Sequence, residues 1–265
     1  LIQKYKTLEN IYKLSKDKLM ETSGISEKIA NNMIDKKVRN NVDNALKYMK
    51  QNNINVISVF DDDYPQMLKE IYAPPICLYI KGNLQLLKMQ NISLIGCRKC
   101  SQYGKKTAYY FSYNLSKAGF NIVSGLARGI DSYSHIGCLA AKGKTIAVMG
   151  SGLDNIYPKE NEQLVNEIIK QNGAIITQYP LGTKPEKNNF PARNRIISGL
   201  SKAVLVIEAR AKSGTLITVD FALEQGKDVF AVPGNINSAN SVGTNELIKQ
   251  GAIPVCNYKD ILDNI

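Results

Sequence analysis

The chain of 265 residues combines 44% hydrophobic with 22% charged residues, which suits one large folded domain and a small appendage and excludes a disordered or fibrous protein. Its formal net charge of +11 favours polyanionic partners: nucleic acid, nucleotides or acidic membrane. No apolar run approaches the roughly 18 residues of a membrane span, and Leu1 to Asn10 holds no signal-peptide core, so no membrane partner and a cytoplasmic location are expected.

Residues 1–50 read as a helical domain. Apolar positions recur near a helical period at Leu8, Ile11, Tyr12, Leu14 and Leu19, then at Ile29, Ile34 and Val38. Between them, Thr22-Ser23-Gly24-Ile25-Ser26-Glu27 is a turn with a serine placed to cap the next helix, similar to a helix-hairpin-helix module. Ser26 stands where the second hairpin glycine would fall, so a structural or partner-binding role is expected there. Residues 51–90 form a lead-in to the main domain. Val56, Ile57 and Val59 suggest a short strand, and Ile76 to Ile80 a second. Asp61-Asp62-Asp63 reads as a solvated turn capping a helix with Met67 and Leu68, in preference to a magnesium site.

From residue 91 strand-length apolar runs recur at Ile92–Ile95, Asn121–Val123, Thr145–Met149, Ala174–Thr177, Ala203–Ile207, Val229–Val232 and Ile253–Cys256. Helical spacing lies between most of them, as at Tyr109–Ala118, Leu164–Lys170 and Val219–Gln225. This alternation predicts an α/β fold, Rossmann-like and doubly wound, with a mainly parallel sheet over residues 51–265. Ligands of such sheets bind beyond the carboxyl ends of the strands. Those ends here are glycine-bearing turns: Gly96-Cys97-Arg98-Lys99, Ser124-Gly125-Leu126-Ala127-Arg128-Gly129-Ile130-Asp131, and Gly150-Ser151-Gly152-Leu153-Asp154 followed by Tyr157-Pro158-Lys159. Glycine admits close approach, and amides at helix N-termini suit phosphate. Asp131 and Asp154 are expected to stiffen their turns by bonding amides. A fourth segment, Lys187 to Ser201, sets Lys187, Arg193 and Arg195 around Phe190 and Asn194, just before an expected helix. Arginine offers planar phosphate contacts and an exposed ring stacks on any base.

Together these segments resemble the DNA-processing protein A family. The resemblance rests on the turns after Ser124 and Gly150, on Phe190-Pro191-Ala192-Arg193-Asn194-Arg195, Ile207-Glu208-Ala209, Ser213-Gly214-Thr215-Leu216-Ile217-Thr218, Phe230-Ala231-Val232-Pro233-Gly234 and Gly243-Thr244-Asn245, in order over roughly residues 54–260. It implies a homodimer that holds single-stranded DNA in a basic pocket at the sheet's carboxyl edge and helps load the RecA recombinase during natural transformation. By position the pocket comprises Arg98, Lys99, Ser124, Gly125, Arg128, Gly150, Ser151, Lys159, Lys187, Phe190, Arg193, Asn194 and Arg195, with Ser213 and Gly214 nearby. Arg98, Lys187, Arg193 and Arg195 are expected on phosphates and Phe190 on a base. The first turn has Cys97 where the family more often places a hydroxyl residue, and a C-terminal winged helix, frequent in the family, is not expected within these residues. The helix Thr218–Gln225 and the last strand are the expected dimer contacts.

No catalytic residue, metal or cofactor is expected. Cys97 and Cys100 form a CxxC without a second pair, and His135 is the sole histidine. A packed or capping role suits His135 better than a general base. The alternative is a nucleotide-binding protein or nucleoside monophosphate hydrolase of Rossmann-like type. Such enzymes resemble a Pro-Gly-Gly-x-Gly-Thr turn followed by a catalytic Glu. This chain has Pro233-Gly234-Asn235 and a separate Ser213-Gly214-Thr215, with Glu208 and Glu224 outside any such motif. A strict GxGxxG is absent too, since Leu153, Asp154 and Asn155 follow Gly150-Ser151-Gly152.

Overall fold

The computed structural model describes residues 1–6 and 8–265, with side chains at all of these but 2, 3, 8, 9 and 38–40. The chain divides into two compact units, Leu1–Asn53 and Ile54–Ile265. In the first, Ser15 and Ser26 cap the helices Lys16–Met20 and Glu27–Ile34 by accepting from the amides of Lys18 and Ile29. Ile11, Leu19 and Ala30 make a small core against Ile25 and Met33, and Gly24 takes a positive φ of 85° in the intervening turn. Leu8 and Val38, both in the predicted apolar pattern, lie outside the described side chains.

The second unit is built on one nine-stranded sheet. Its strands are β1 (Ile54–Ser58), β2 (Cys77–Gly82), β3 (Asn91–Ile95), β4 (Asn121–Ser124), β5 (Thr145–Val148), β6 (Ala174–Thr177), β7 (Ala203–Val206), β8 (Asp228–Ala231) and β9 (Ile253–Pro254). They are ordered β1-β2-β6-β5-β4-β3-β7-β8-β9. From β6 to β9 in that order every pair is parallel, and β1 and β2 join antiparallel at the β6 edge. The fold class read from the sequence is the observed one.

Alternation along the buried strands explains the two layers. In β7, Val204 and Val206 face one core together with Ile196, Ile197, Val219 and Ala222. Ala203 and Leu205 face the other, with Ala108, Phe111, Leu115 and Ile130. The helices α1 (Gln102–Lys117) and α2 (Ile130–Ala140) thus cover one face, and α4 (Asn189–Gly199) and α5 (Gly214–Glu224) the opposite one; α3 (Glu162–Lys170) follows β5. Ser101 caps α1 through the Gly104 amide at 2.9 Å, and Ser213 caps α5 through the Thr215 amide at 3.2 Å.

Two expectations need correction. The helix Gln66–Lys69 has no side-chain cap, because Asp61 turns back to accept from the Ser58 amide at 2.6 Å and Asp63 pairs with Lys88 at 2.9 Å. Phe190 to Arg195 also do not precede a helix but form its first turns, since Pro191 is compatible with a first turn, where its missing N–H costs nothing.

Among the described residues no helix is long and apolar enough to cross a membrane. His135, on α2, is fully buried. Thr145 Oγ1 already donates to the Ile122 carbonyl at 2.7 Å, so its contact with His135 Nδ1 at 2.7 Å must use an N–H of the imidazole. Nε2 is then a buried acceptor without a hydrogen-bond partner. Burial, with Arg193 adding repulsion, drives the His135 pKa down to about 3. The unfolded chain binds a proton below about 6.5 that the folded chain refuses. Stability attributable to this group is therefore lost as pH falls from about 6.5 towards 3, by about 1.4 kcal/mol per pH unit. Urea denaturation at several pH values is expected to show this slope in the wild type and a shallower one in His135→Asn, which has no titrating imidazole.

Candidate nucleic-acid interface

The chain winds outward from β3 through β4, β5 and β6, then returns to β7 on the other side of β3. The loops after β3 and β7 therefore leave in opposite directions, and a crevice opens at their carboxyl ends. The ladder continues one step into both loops, with the Cys97 amide bonded to the Glu208 carbonyl at 2.9 Å. A cleft of about 700 Å³ occupies this position, walled by Gly96 to Lys99, the start of α4 and residues 210–218.

Six basic side chains line the cleft: Arg98, Lys99, Lys187, Arg193, Arg210 and Lys212. Asp131 is the one acid among its lining residues. Among the described residues, Arg98, Lys99, Lys187, Arg210 and Lys212 form no ion pair, so their charge faces solvent and any ligand. The Arg98 guanidinium lies 5.3 Å from the centre of the Phe190 ring, and Tyr157 packs on Phe190 at 5.5 Å. Such a cation–aromatic contact holds the arginine ready without neutralising it.

Arg193 behaves differently. It is 3% exposed and donates to the carbonyls of Gly125 at 2.8 Å and Val148, at the ends of β4 and β5. Asp131 sits close by, accepting from the amides of Gly125 at 3.1 Å and Ala127 at 3.2 Å. A Cβ on Gly125 would fall 2.7 Å from Asp131 Oδ2 and 2.9 Å from Arg193 Nη2, so only glycine leaves room for both. Burial lowers the Arg193 pKa to about 10, against the pull of Asp131. Burial likewise raises Asp131, against the pull of Arg193.

The structure brings Arg98, Lys99, Lys187, Phe190, Arg193, Asn194, Ser213 and Gly214 together around the cleft. The other sequence-selected residues do not line it. Ser124 is buried, donating to the Leu94 carbonyl at 2.6 Å, and Ser151 closes its own turn on the Asn155 carbonyl at 2.6 Å. The Gly125 amide is taken by Asp131. Gly150 makes room for an aromatic ring, since a Cβ there would meet Phe190 Cδ1 at 2.8 Å. Arg128 pairs with Glu160 on the surface, and Lys159 is exposed beside that pair in the sequence. Arg195 points elsewhere, donating to the Ala73 carbonyl at 2.9 Å and Gln178 Oε1 at 2.6 Å. Asp154 bonds the Gly182 amide at 2.8 Å, tying its turn to another loop. The sequence reading missed Arg210 and Lys212, within three residues of the Ser213 cap of α5, and placed Tyr157 in its turn without including it in the pocket.

Glu208, one of the two acids named for the hydrolase alternative, is buried, and accepts from the Ser101 amide at 2.9 Å and hydroxyl and from Asn240 at 3.2 Å. Cys97 and Cys100 are free thiols whose pKa values burial pushes up.

Residues 55–265 match the model of the DNA recombination-mediator protein A family. The chain belongs to that family. Protein Smf of Synechocystis sp. is 40% identical over 269 residues, covering all of this chain and 67% of that protein. The structure of DNA processing protein A from Streptococcus pneumoniae superposes with a TM-score of 0.84 at 37% identity, covering all of this chain and 91% of that one. That of Helicobacter pylori, solved for its single-stranded DNA binding mode, gives 0.72 at 31% identity over 79% of this chain and 94% of that one. The chain spans about two-thirds of the length of the curated relatives it matches.

Within this member of the recombination-mediator family, Arg193 is a structural arginine. Arg193→Met leaves two buried carbonyls without their donor and is expected to cost about 1–3 kcal/mol for each in chemical denaturation. Arg98→Ala, at an exposed site, is expected to stay within about 1 kcal/mol of wild type.

Proposed function

We propose that this chain binds single-stranded DNA in the cleft between the β3 and β7 loops and, as a homodimer in the cytosol, helps load the RecA recombinase on DNA taken up in natural transformation. The observation that carries the binding step is the unpaired basic lining around the Arg98–Phe190–Tyr157 stack. Single strands are held by a cationic track for the backbone and aromatic rings for the bases, and this needs no base-specific contact. Arg98, Lys187 and Lys212 take phosphates. Phe190 and Tyr157 offer ring surface, and the Asn194 amide meets base or sugar. Arg193 and Arg195 hold the wall in shape. The function is binding and handover without a covalent step. The family's description and the single-strand mode of the Helicobacter pylori protein support it. The helix α5, with Leu223 exposed, and the β9 edge are the surfaces we assign to dimerisation.

Fluorescence anisotropy of labelled oligothymidylate across a salt series tests the reading. The double variant Arg98→Ala, Lys187→Ala is expected to lose affinity and to flatten the slope of log affinity against log salt by about 1.4, about 0.7 for each lost phosphate contact. Phe190→Ala is expected to weaken binding by about 1–3 kcal/mol with the slope unchanged. Equal competition by duplex, or displacement by a nucleoside monophosphate, would overturn the single-strand reading.

A further inference from the structure

The basic rim of the cleft does not end in featureless surface. At its edge Asn240 donates to the Lys99 carbonyl at 3.0 Å and to Glu208 at 3.2 Å, and accepts from Arg210 Nε at 2.9 Å. On the other side of Asn240 and Glu208 a groove of about 490 Å³ opens between Tyr103, Asn235 and Ser238. It shares Tyr103 and Pro233 with a second hollow of about 350 Å³ that holds Lys106 and Tyr110 and is closed by Val255 and Cys256, beside the β9 edge assigned above to dimerisation. The cleft and the two hollows thus follow one another around the carboxyl end of the sheet.

The chemistry along this groove is uniform. Tyr103, Lys106 and Tyr110 are spaced by three and four residues, so they share one face of α1. Tyr103 is 54% and Tyr110 41% exposed, and the exposed Lys106 stands between them along the helix. Tyr110 is braced edge-on by Phe111 at 5.3 Å and Tyr258 at 6.4 Å, which fixes its ring. Acids near the groove are engaged by protein donors: the buried Glu208 serves Ser101 and Asn240, and Asp260 accepts the amides of Cys256 at 2.7 Å and Asn257 at 2.9 Å. Beside Asn235 the loop lifts Ile236 85% into solvent, with the tip pinned by the Asn237 amide on Asn235 at 2.8 Å. One braced and one exposed ring on the same helix face, a lysine between them in the sequence and an apolar tip suit unpaired bases and a phosphate.

We propose that a single strand leaving the cleft continues past Asn240 into this groove, stacking bases on Tyr103 and Tyr110 while Lys106 takes the phosphate between them. The inference rests on the single-strand reading of the cleft and extends its footprint. Affinity should then grow with strand length beyond what the cleft alone can hold.

The test compares the whole chain's affinity for oligothymidylates of about six and about twenty nucleotides, a short and a long footprint for such sites. Tyr103→Ala and Tyr110→Ala are each expected to lose about tenfold in affinity for the long strand and nothing for the short one. Lys106→Ala should reduce the salt slope for the long strand alone, by about 0.7. Tyr103→Phe keeps the ring and should retain wild-type affinity, which separates stacking from a folding defect at the α1 terminus. If the intact protein binds neither strand, the cleft reading has failed and the extension with it. If both strands bind and the tyrosine variants leave the long-strand affinity unchanged, or weaken both lengths equally, the groove falls and the cleft stands. The same variants lowering the sedimentation mass without altering DNA affinity would assign the groove to a second copy and overturn the proposal.

Discussion

The site depends on one buried cation. Arg193 ties the carbonyl ends of β4 and β5 together and, being part of α4, fixes that helix against the sheet's carboxyl edge. Its desolvation opposes the arrangement, and the carbonyls together with Asp131 offset it. Everything the cleft offers on that wall follows: Phe190 and Asn194 are carried on the same helix within one turn of Arg193. Removing the arginine would leave the two carbonyls without a donor and Asp131 without its nearby positive charge.

The same constraint gives the glycines their meaning. Turns after strands commonly use glycine to bring amides to phosphate. In this chain Gly125 and Gly150 make space for protein atoms instead, the first for Arg193 beside Asp131 and the second for the Phe190 ring. The free positive charge is supplied by side chains from the loops after β3 and β7, which diverge around the switch point of the sheet, and by Lys187 from the loop before α4. The site is therefore a basic, aromatic trough and not an amide cradle of the kind nucleotide enzymes build. That difference is what favours a long, sequence-tolerant polyanion over a mononucleotide.

Rigidity and freedom are divided between the two kinds of arginine. Arg193 and Arg195 spend their donors on backbone carbonyls and Gln178, so they shape the wall. Arg98 keeps its charge free while Phe190 holds its position. On the proposed reading a flexible strand would meet a surface already ordered, and the entropy lost on binding would fall mainly on the DNA.

The sequence by itself determined the sheet and the edge on which to look. Strands such as Ala203–Val206 are apolar on both faces, and that demand is local and readable at once. It also drew attention to Arg98, Lys187 and Phe190, because basic residues beside an aromatic ring near the strand ends suit a polyanion with bases. Only the tertiary structure decided which arginines are free. Arg193 finds its carbonyls 68 and 45 residues away, and Arg195 reaches one 122 residues away. No spacing rule reports such partners, because a guanidinium's burial is set by which distant backbone ends the fold brings to it. Arg210 and Lys212 joined the cleft for the same reason: β7 lies next to β3 in space, although 107 residues separate Ser101 from Glu208 along the chain.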